Sequence, residues 1–321
     1  MKFMMKPYEQ KFPWNLDWNL LRTFMVVVDQ RGPTRAAEYL GVTQPTISSA
    51  LKRLEETVGK RLAVRRPGYF KVTEAGHILY QESAAMFGAV SQIPDLVIKA
   101  EGQVNGHISI VMASHVVSPH FDALLQKFNV DHPDVTYSMS VADSREVLNF
   151  VRQKQATFGL CLVREHDPHL VTTPLFREFF GLYCGPGHKL FGNTRVKLSQ
   201  LRGESSVSFQ TDSESGPLSS VTHLRERALL KSELKGISSN LPEVRRMIVA
   251  GLGIGALPVH VAKRDVDMGL LWQLPPYSGL PVVEVCIAIN PKRSQNPAEA
   301  AFIKALEELT DSVPISERTY E

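Results

Sequence analysis

Thr34 to Arg66 reads TRAAEYLGVTQPTISSALKRLEETVGKRLAVRR, and the architecture of the whole chain turns on this stretch. Ala36, Ala37 and Leu40 recur at the spacing of an amphipathic helix that stops at Gly41. After Val42, Thr43 has the side-chain oxygen to cap a second helix, from Gln44-Pro45 to about Val58, which ends at Gly59. The apolar residues Ile47, Leu51 and Leu54 of that helix face Ala36, Ala37 and Leu40 across the turn. Two helices joined this tightly make a helix-turn-helix.

Working outward, Leu16, Leu20, Leu21, Phe24, Met25 and Val28 predict a preceding helix that closes near Arg31-Gly32. Pro33 then suits an early helical position, where its missing N–H costs nothing. Downstream, two short β-prone runs flank Pro67-Gly68, which predicts a hairpin wing carrying Arg65 and Arg66. Thr73 and Glu74 open a long helix whose stripe runs Ile78/Leu79, Ala85/Met86, Ala89/Val90, Ile93 and Leu96/Val97. That spacing is near the 3.5 residues of a paired helix, although a helix packed on its own body would also use it. Pro94 should bend or break it.

The run LLRTFMVVVDQ, TRAAEYLGVTQPTISSALKRLEETVGKRLAVRR and KVTEAG resembles the N-terminal domain of LysR-type transcriptional regulators. The match holds the family's spacing over nearly the whole head. Pro33 stands where an aromatic is common, Ser49 where an arginine is frequent, and Ala63 where phenylalanine is usual. The resemblance implies that Gln44, Thr46, Ser48 and Ser49, beside Thr43 and Pro45 at the helix start, reach major-groove base edges. Arg35, Lys52 and Arg53 would grip phosphates, and Arg65 and Arg66 would enter or skirt the minor groove. It also implies pairing of chains through the long helix into a homodimer or homotetramer, a partly palindromic operator in double-stranded DNA, and contact with RNA polymerase.

Charge agrees with a head that meets a polyanion. Residues 1–80 hold 13 Lys/Arg against 7 Asp/Glu, whereas the remainder holds 23 against 26. A chain of 321 residues predicts two or three domains. The start, MKFMMKPYEQKFPWN, lacks the apolar region of a signal peptide, and no apolar run reaches membrane length, so the expected location is the cytoplasm, with no membrane contact. Cys161, Cys184 and Cys286 sit in apolar stretches without ligand spacing and read as buried thiols; their spacing suggests no close redox pair.

Beyond a hinge around residues 101–106, strands and helices alternate through HISIVM, FDALLQKFNV, VTYSMSV, SREVLNFVRQ and FGLCLV, which predicts βαβ units and a mostly parallel sheet. A second α/β unit follows from about Leu170, and LLWQLP, VEVCIAI and a last helix, about Pro297 to Leu309, should return to the first unit. The expected class is α/β: an N-terminal winged helix-turn-helix and linker helix, then a two-lobed effector domain similar to that of LysR-type regulators and to periplasmic solute-binding proteins. The expected boundaries are an extension at 1–15, the DNA-binding domain at 16–73, the linker at 74–102 and the effector domain at 103–310. Within the last, lobe I comprises 106–164 and 267–310, lobe II comprises 165–266, and 311–321 is a tail.

Ligands of two-lobed α/β bodies bind at the carboxyl ends of strands, where the lobes meet. Ala113-Ser114-His115, Ala142-Asp143, Phe209-Gln210-Thr211 and Ser239-Asn240-Leu241 should therefore line an effector crevice. A helix starting near Val116 would offer its N–H groups to a small organic anion. Ser114 and Thr211 as helix caps, and His115 as a structural histidine, are the competing readings. Gly251, Gly253 and Gly255 follow a helix rather than a strand, which argues against a dinucleotide site and for tight turns. No HExxH, GxSxG or Cys/His set is present, so neither catalysis, a cofactor nor a metal is expected. The rival function is an α/β solute-binding or enzymatic module whose head serves for assembly.

Overall fold

Helix signals in the head act locally, and the structure follows them closely. The computed structural model describes residues 16–66, 69–91, 104–165 and 167–321. Contacts divide the chain into two units, Met1–Ser91 and Gln92–Glu321.

In the first unit, α1 (Trp18–Asp29) is capped by Asp17, whose carboxylate accepts the Asn19 N–H. Helix α2 (Pro33–Leu40) ends on left-handed Gly41. Helix α3 (Gln44–Val58) starts at Thr43, whose hydroxyl accepts the Thr46 N–H, and ends on left-handed Gly59. Leu21, Phe24, Val27, Ala36, Ile47, Leu51, Leu54 and Leu62 form a single core between the helices. Strands β1 (Ala63–Arg66) and β2 (Tyr69–Val72) pair antiparallel as the wing; its predicted tip, Pro67-Gly68, lies outside the described residues. Helix α4 (Glu74–Ser91) lays Ala75, Leu79, Tyr80, Met86 and Phe87 against the same core, while Ile78 and Val90 stay exposed. The rest of the predicted linker, with Ile93, Pro94 and Leu96/Val97, and the extension at 1–15 lie outside the described residues.

The second unit opens with β3 (Gly106–Met112), α5 (Pro119–Asp131), β4 (Val135–Val141), α6 (Ser144–Arg152) and β5 (Phe158–Leu162), with β3 parallel to both β4 and β5. The 14-residue β6 (Val171–Cys184) then runs out of this first lobe. The second lobe holds β7 (Ser206–Phe209), α7 (Ser219–Arg227), β8 (Leu234–Ser238), α8 (Leu241–Val249), β9 (Gly255–Pro258), α9 (Val259–Asp267) and β10 (Trp272–Leu274). Strand β11 (Val282–Ile289) brings the chain back, and α10 (Pro297–Ser312) packs Phe302 on Phe158 and Phe128.

Three expectations need correction. The sheet is mixed rather than mostly parallel, because β6 leaves the first lobe and β11 re-enters it, so the two crossing strands pair antiparallel and β11 also runs antiparallel to β5. LLWQLP does not return to the first lobe: β10 pairs with Leu182–Cys184 at the far end of β6, on the portion that also carries β9. The residues expected as a tail are built in. Here β12 (Thr319–Tyr320) adds parallel to β6 at Arg177 and Glu178. Arg318, 4% exposed, donates to the carbonyls of Val313, Pro174, Leu175 and Thr310. A buried guanidinium is tolerable only when its donors are used in this way.

Candidate functional site

On the head, a concavity of about 690 Å3 lies between the start of α2 and the wing. Arg31 and Arg35 stand on one wall, Arg65, Arg66 and Tyr69 on the other, and Gln44 and Ser48 of α3 line it as well. Four guanidinium groups around two hydrogen-bonding side chains suit phosphates flanking a base edge. Gln44 and Ser48 are mutually bonded at 3.3 Å, one turn apart. Thr46 faces a separate hollow beside Asn19 and Arg22, and its hydroxyl lies 2.8 Å from that of Thr43. Pro45 and Ser49 are exposed on α3.

The remaining cations differ in their ties. Lys52 is exposed and only loosely paired with Glu56 at 3.8 Å. Arg53 leans on Asp17 at 3.4 Å, so part of its charge serves the α1 cap. Arg65 is held at 2.5 Å by Glu55, whose other oxygen accepts the Leu62 and Ala63 N–H groups. One α3 carboxylate thus sets both the entry and an arginine of the wing. Arg31 and Tyr69 escaped the sequence reading; the signal for Arg31 was a further arginine beside the Gly-Pro turn.

In the second unit the predicted crevice segments meet. Ser114 at the end of β3 accepts the Leu241 N–H at 2.9 Å and donates to the Ser239 carbonyl at 3.2 Å, so its hydroxyl bridges the lobes. Ala142 is held beside β3 through the Met112 carbonyl, and Gln210 is tied to Ser238 through the backbone. Phe209 is buried and meets the His115 ring edge-on at 6.4 Å. Asn240, the residue before α8, makes no side-chain cap bond; its carbonyl accepts the Glu243 and Val244 N–H groups, Pro242 has no N–H, and the Leu241 N–H takes its acceptor from Ser114 across the lobes.

Other assignments change in detail. The first helix of this unit does not begin near Val116 but at Pro119, because Ser118 is its cap and accepts the Phe121 N–H. Asp143 closes a capping box with Glu146 on α6, so its carboxylate is already engaged. Thr211 is half-buried beside Asp212, a buried carboxylate bonded to Ser208, Thr222 and Arg225. A separate open cavity of about 800 Å3 is lined by Ser144, Arg145, Arg152, Arg164 and Ser215 among others, and by none of the predicted contacts.

His115 does not stand open to the crevice. It is 5% exposed, with Nε2 3.8 Å from Glu178, which is fully buried on β6. Burial, and secondarily the nearby His260, bring the His115 pKa down to about 4. The glycines of MIVAGLGIGALP serve packing: Gly251 is left-handed, and a Cβ on Gly253 would lie 2.6 Å from the Ser205 carbonyl oxygen. That leaves no phosphate cradle there.

A winged helix-turn-helix and a two-lobed α/β unit together define a DNA-binding transcription regulator with an effector-binding domain. Residues 18–77 match the bacterial regulatory helix-turn-helix family of LysR type, and residues 101–311 match the LysR substrate binding domain. The chain belongs to the LysR family, whose members are transcription regulators and not enzymes. Among its relatives, the transcriptional regulator CysL of Bacillus subtilis is 26% identical over 250 residues, 78% of this chain and 83% of that one. The regulator PtxR of Pseudomonas aeruginosa is 25% identical over 310 residues, covering 92% and 93%. The crystal structure of CbnR, a LysR family transcriptional regulator, shares the fold at a TM-score of 0.65 and 18% identity, over 92% of this chain and 99% of that one. CbnR has also been solved in complex with its target DNA, and that structure matches with a TM-score of 0.63 at 19% identity, over 92% and 100%. Among the described residues, no helix is long and apolar enough to cross a membrane.

Proposed function

We propose that this regulator binds a partly palindromic operator as a dimer or higher oligomer, and that a small organic anion in the inter-lobe crevice controls that binding. The observation that carries the effector reading is the Ser114 bridge. The N–H of Leu241 opens α8, at the positive end of the helix, and an anionic group is a stronger acceptor there than a hydroxyl. An arriving carboxylate would displace the Ser114 hydroxyl from Leu241 and alter the hydrogen bonds that join the lobes. On this reading, Phe209, Gln210, Thr211 and Asn240 are further contacts of the anion, and Ala113, Ala142, Asp143, Ser239 and Leu241 are neighbouring parts of the crevice. Membership of the LysR family sets aside the rival reading of an enzymatic module with an assembly head.

Selection from random DNA supplies the operator for the test. Its affinity is then measured with and without a small-molecule extract, for the unaltered protein and for Ser114→Ala and Thr211→Ala. Intact DNA binding with a blunted response in these variants supports the crevice. An undiminished response in both sinks it and directs attention to the cavity at Arg145 and Arg164.

A further inference from the structure

Four buried polar atoms converge on β6 without a hydrogen bond: both carboxyl oxygens of Glu178, Nε2 of His115 and Nδ1 of His260. Glu178 Oε1 is 3.8 Å from His115 Nε2, and Oε2 is 4.0 Å from His260 Nδ1. The other nitrogen of His260 lies 3.0 Å from the Val117 carbonyl oxygen. A carbonyl only accepts, so Nε2 carries the hydrogen, and Nδ1 of the neutral ring is a bare acceptor. Three acceptors therefore face one another, with His115 as the single prospective donor. An ionised carboxylate sealed in this way is very costly, whereas a carboxylic acid supplies the missing donor.

Among the described residues, the groups around Glu178 do not provide a countercharge. Arg177, next to Glu178 on β6, pairs outward with Glu284 on β11. Arg318 spends its donors on backbone carbonyls. Tyr320 on β12 packs 5.2 Å from the His260 ring, but its hydroxyl is engaged by Ser118 and His120 on the α5 side, where it also feels the charge of Asp122. Burial accordingly holds Glu178 well above the usual carboxylate range and lowers His260, against the opposing hydrogen bond to Val117.

We propose that Glu178 is held as a neutral acid between His115 and His260, and that its proton keeps the Ser114–His115 corner seated against the second lobe. Sequence adjacency makes the link: the residue that bridges the lobes is followed directly by the residue that faces Glu178. Release of the proton to solvent at alkaline pH leaves a buried carboxylate between two neutral rings. His115 must then shift toward hydration, and the Ser114 bonds to Ser239 and Leu241 loosen with it. This pH-sensitive latch operates without an effector, so its test is independent of the effector reading.

A raised acid favours folding fully below its unfolded value of 4.5, and that contribution is lost as pH rises toward the folded value. A lowered histidine does the reverse between 6.5 and about 4. The two slopes oppose each other in mildly acidic solution, and above 6.5 only that of Glu178 remains. In the full-length protein, Tm should fall from pH 6.5 upward by roughly 3 °C per pH unit relative to Glu178→Gln, until the carboxyl has ionised. At pH 8.5 the Leu241 amide should exchange with solvent several-fold faster in the unaltered protein than in Glu178→Gln. Parallel Tm profiles would overturn the protonated Glu178, and equal Leu241 exchange would overturn its link to the bridge. Should the glutamine variant fail to fold, histidine NMR of the unaltered protein decides: His115 and His260 rings that stay neutral from pH 8 to 6 support the proposal, and titration near 6.5 refutes it.

Discussion

Cys161 and Cys286 stand directly opposite one another in the antiparallel register of β5 and β11. Their distance along the chain gave no sign of this, since the return of β11 to the first lobe creates the pairing. Their chemistry is nevertheless quiet. Both are buried, and burial pushes each thiol up to about 12, helped in Cys161 by Cys286 and in Cys286 by Glu284. At neutral pH such a thiol is ionised in only about one molecule in 100,000, and the thiolate is the attacking species. In the folded protein Cys161, Cys184 and Cys286 should resist a thiol reagent over minutes and react only after denaturation. A Cys161–Cys286 disulfide recovered after mild peroxide treatment of the folded protein would contradict this.

Glu55 links the wing to α3 through three bonds, to the Leu62 and Ala63 N–H groups and to Arg65. Replacing it by alanine leaves two backbone donors and a half-buried guanidinium without their acceptor. Glu55→Ala should cost about 1–3 kcal/mol of head stability and weaken DNA binding by displacing Arg65. Glu55→Gln keeps an acceptor for the backbone and should cost less in a urea melt, while still loosening Arg65. Equal losses in the two variants would show that the charge, not the backbone bonds, dominates.

How legible each feature was depends on how local its cause is. Thr43, Gly41 and Gly59 terminate their helices through bonds within a few residues, so the helix-turn-helix could be read directly. The direction of β11 depends on a return from the second lobe, which no local pattern encodes. Ser114 was reachable as a residue following a strand, but its bonds to Ser239 and Leu241 join elements far apart in the chain. Glu178 was missed although a signal existed: Phe176, Glu178, Phe180 and Leu182 alternate along β6 and are all fully buried. Strand periodicity alone points the carboxyl inward with the two phenylalanines.

Gln44 and Arg53 should separate recognition from general affinity. Gln44 lines the arginine-walled concavity at the start of α3, whereas Arg53 sits on the same helix with its guanidinium drawn toward Asp17. Gln44→Ala should flatten the preference for the selected operator, since a good base contact is worth roughly 1–3 kcal/mol of discrimination. Arg53→Ala should weaken operator and random DNA alike and reduce the salt slope by about one. Its pair with Asp17 is exposed, so little stability should be lost. Uniform weakening by both variants would refute the division of roles.

Helix α4 is the surface on which the proposed dimer stands or falls. One side of it is used by the head's own core: Tyr80 bonds Asp29 at 2.6 Å, and Phe87 meets Trp18 edge-on. Ile78 at 58% and Val90 at 45% exposure are left outside that packing. An isolated exposed aliphatic residue is ordinary, but two on one long helix, both outside the head's own core, invite a partner. The unaltered protein should scatter light as at least twice its 35.8 kDa chain at micromolar concentration. Ile78→Glu with Val90→Glu should lower that mass and abolish tight operator binding while leaving the head folded, because neither side chain contributes to its buried core. Two heads held by this helix would read half-sites about 34–36 Å apart, or a multiple of that. A particle of single-chain mass for the unaltered protein, unchanged on DNA, would refute the paired helix.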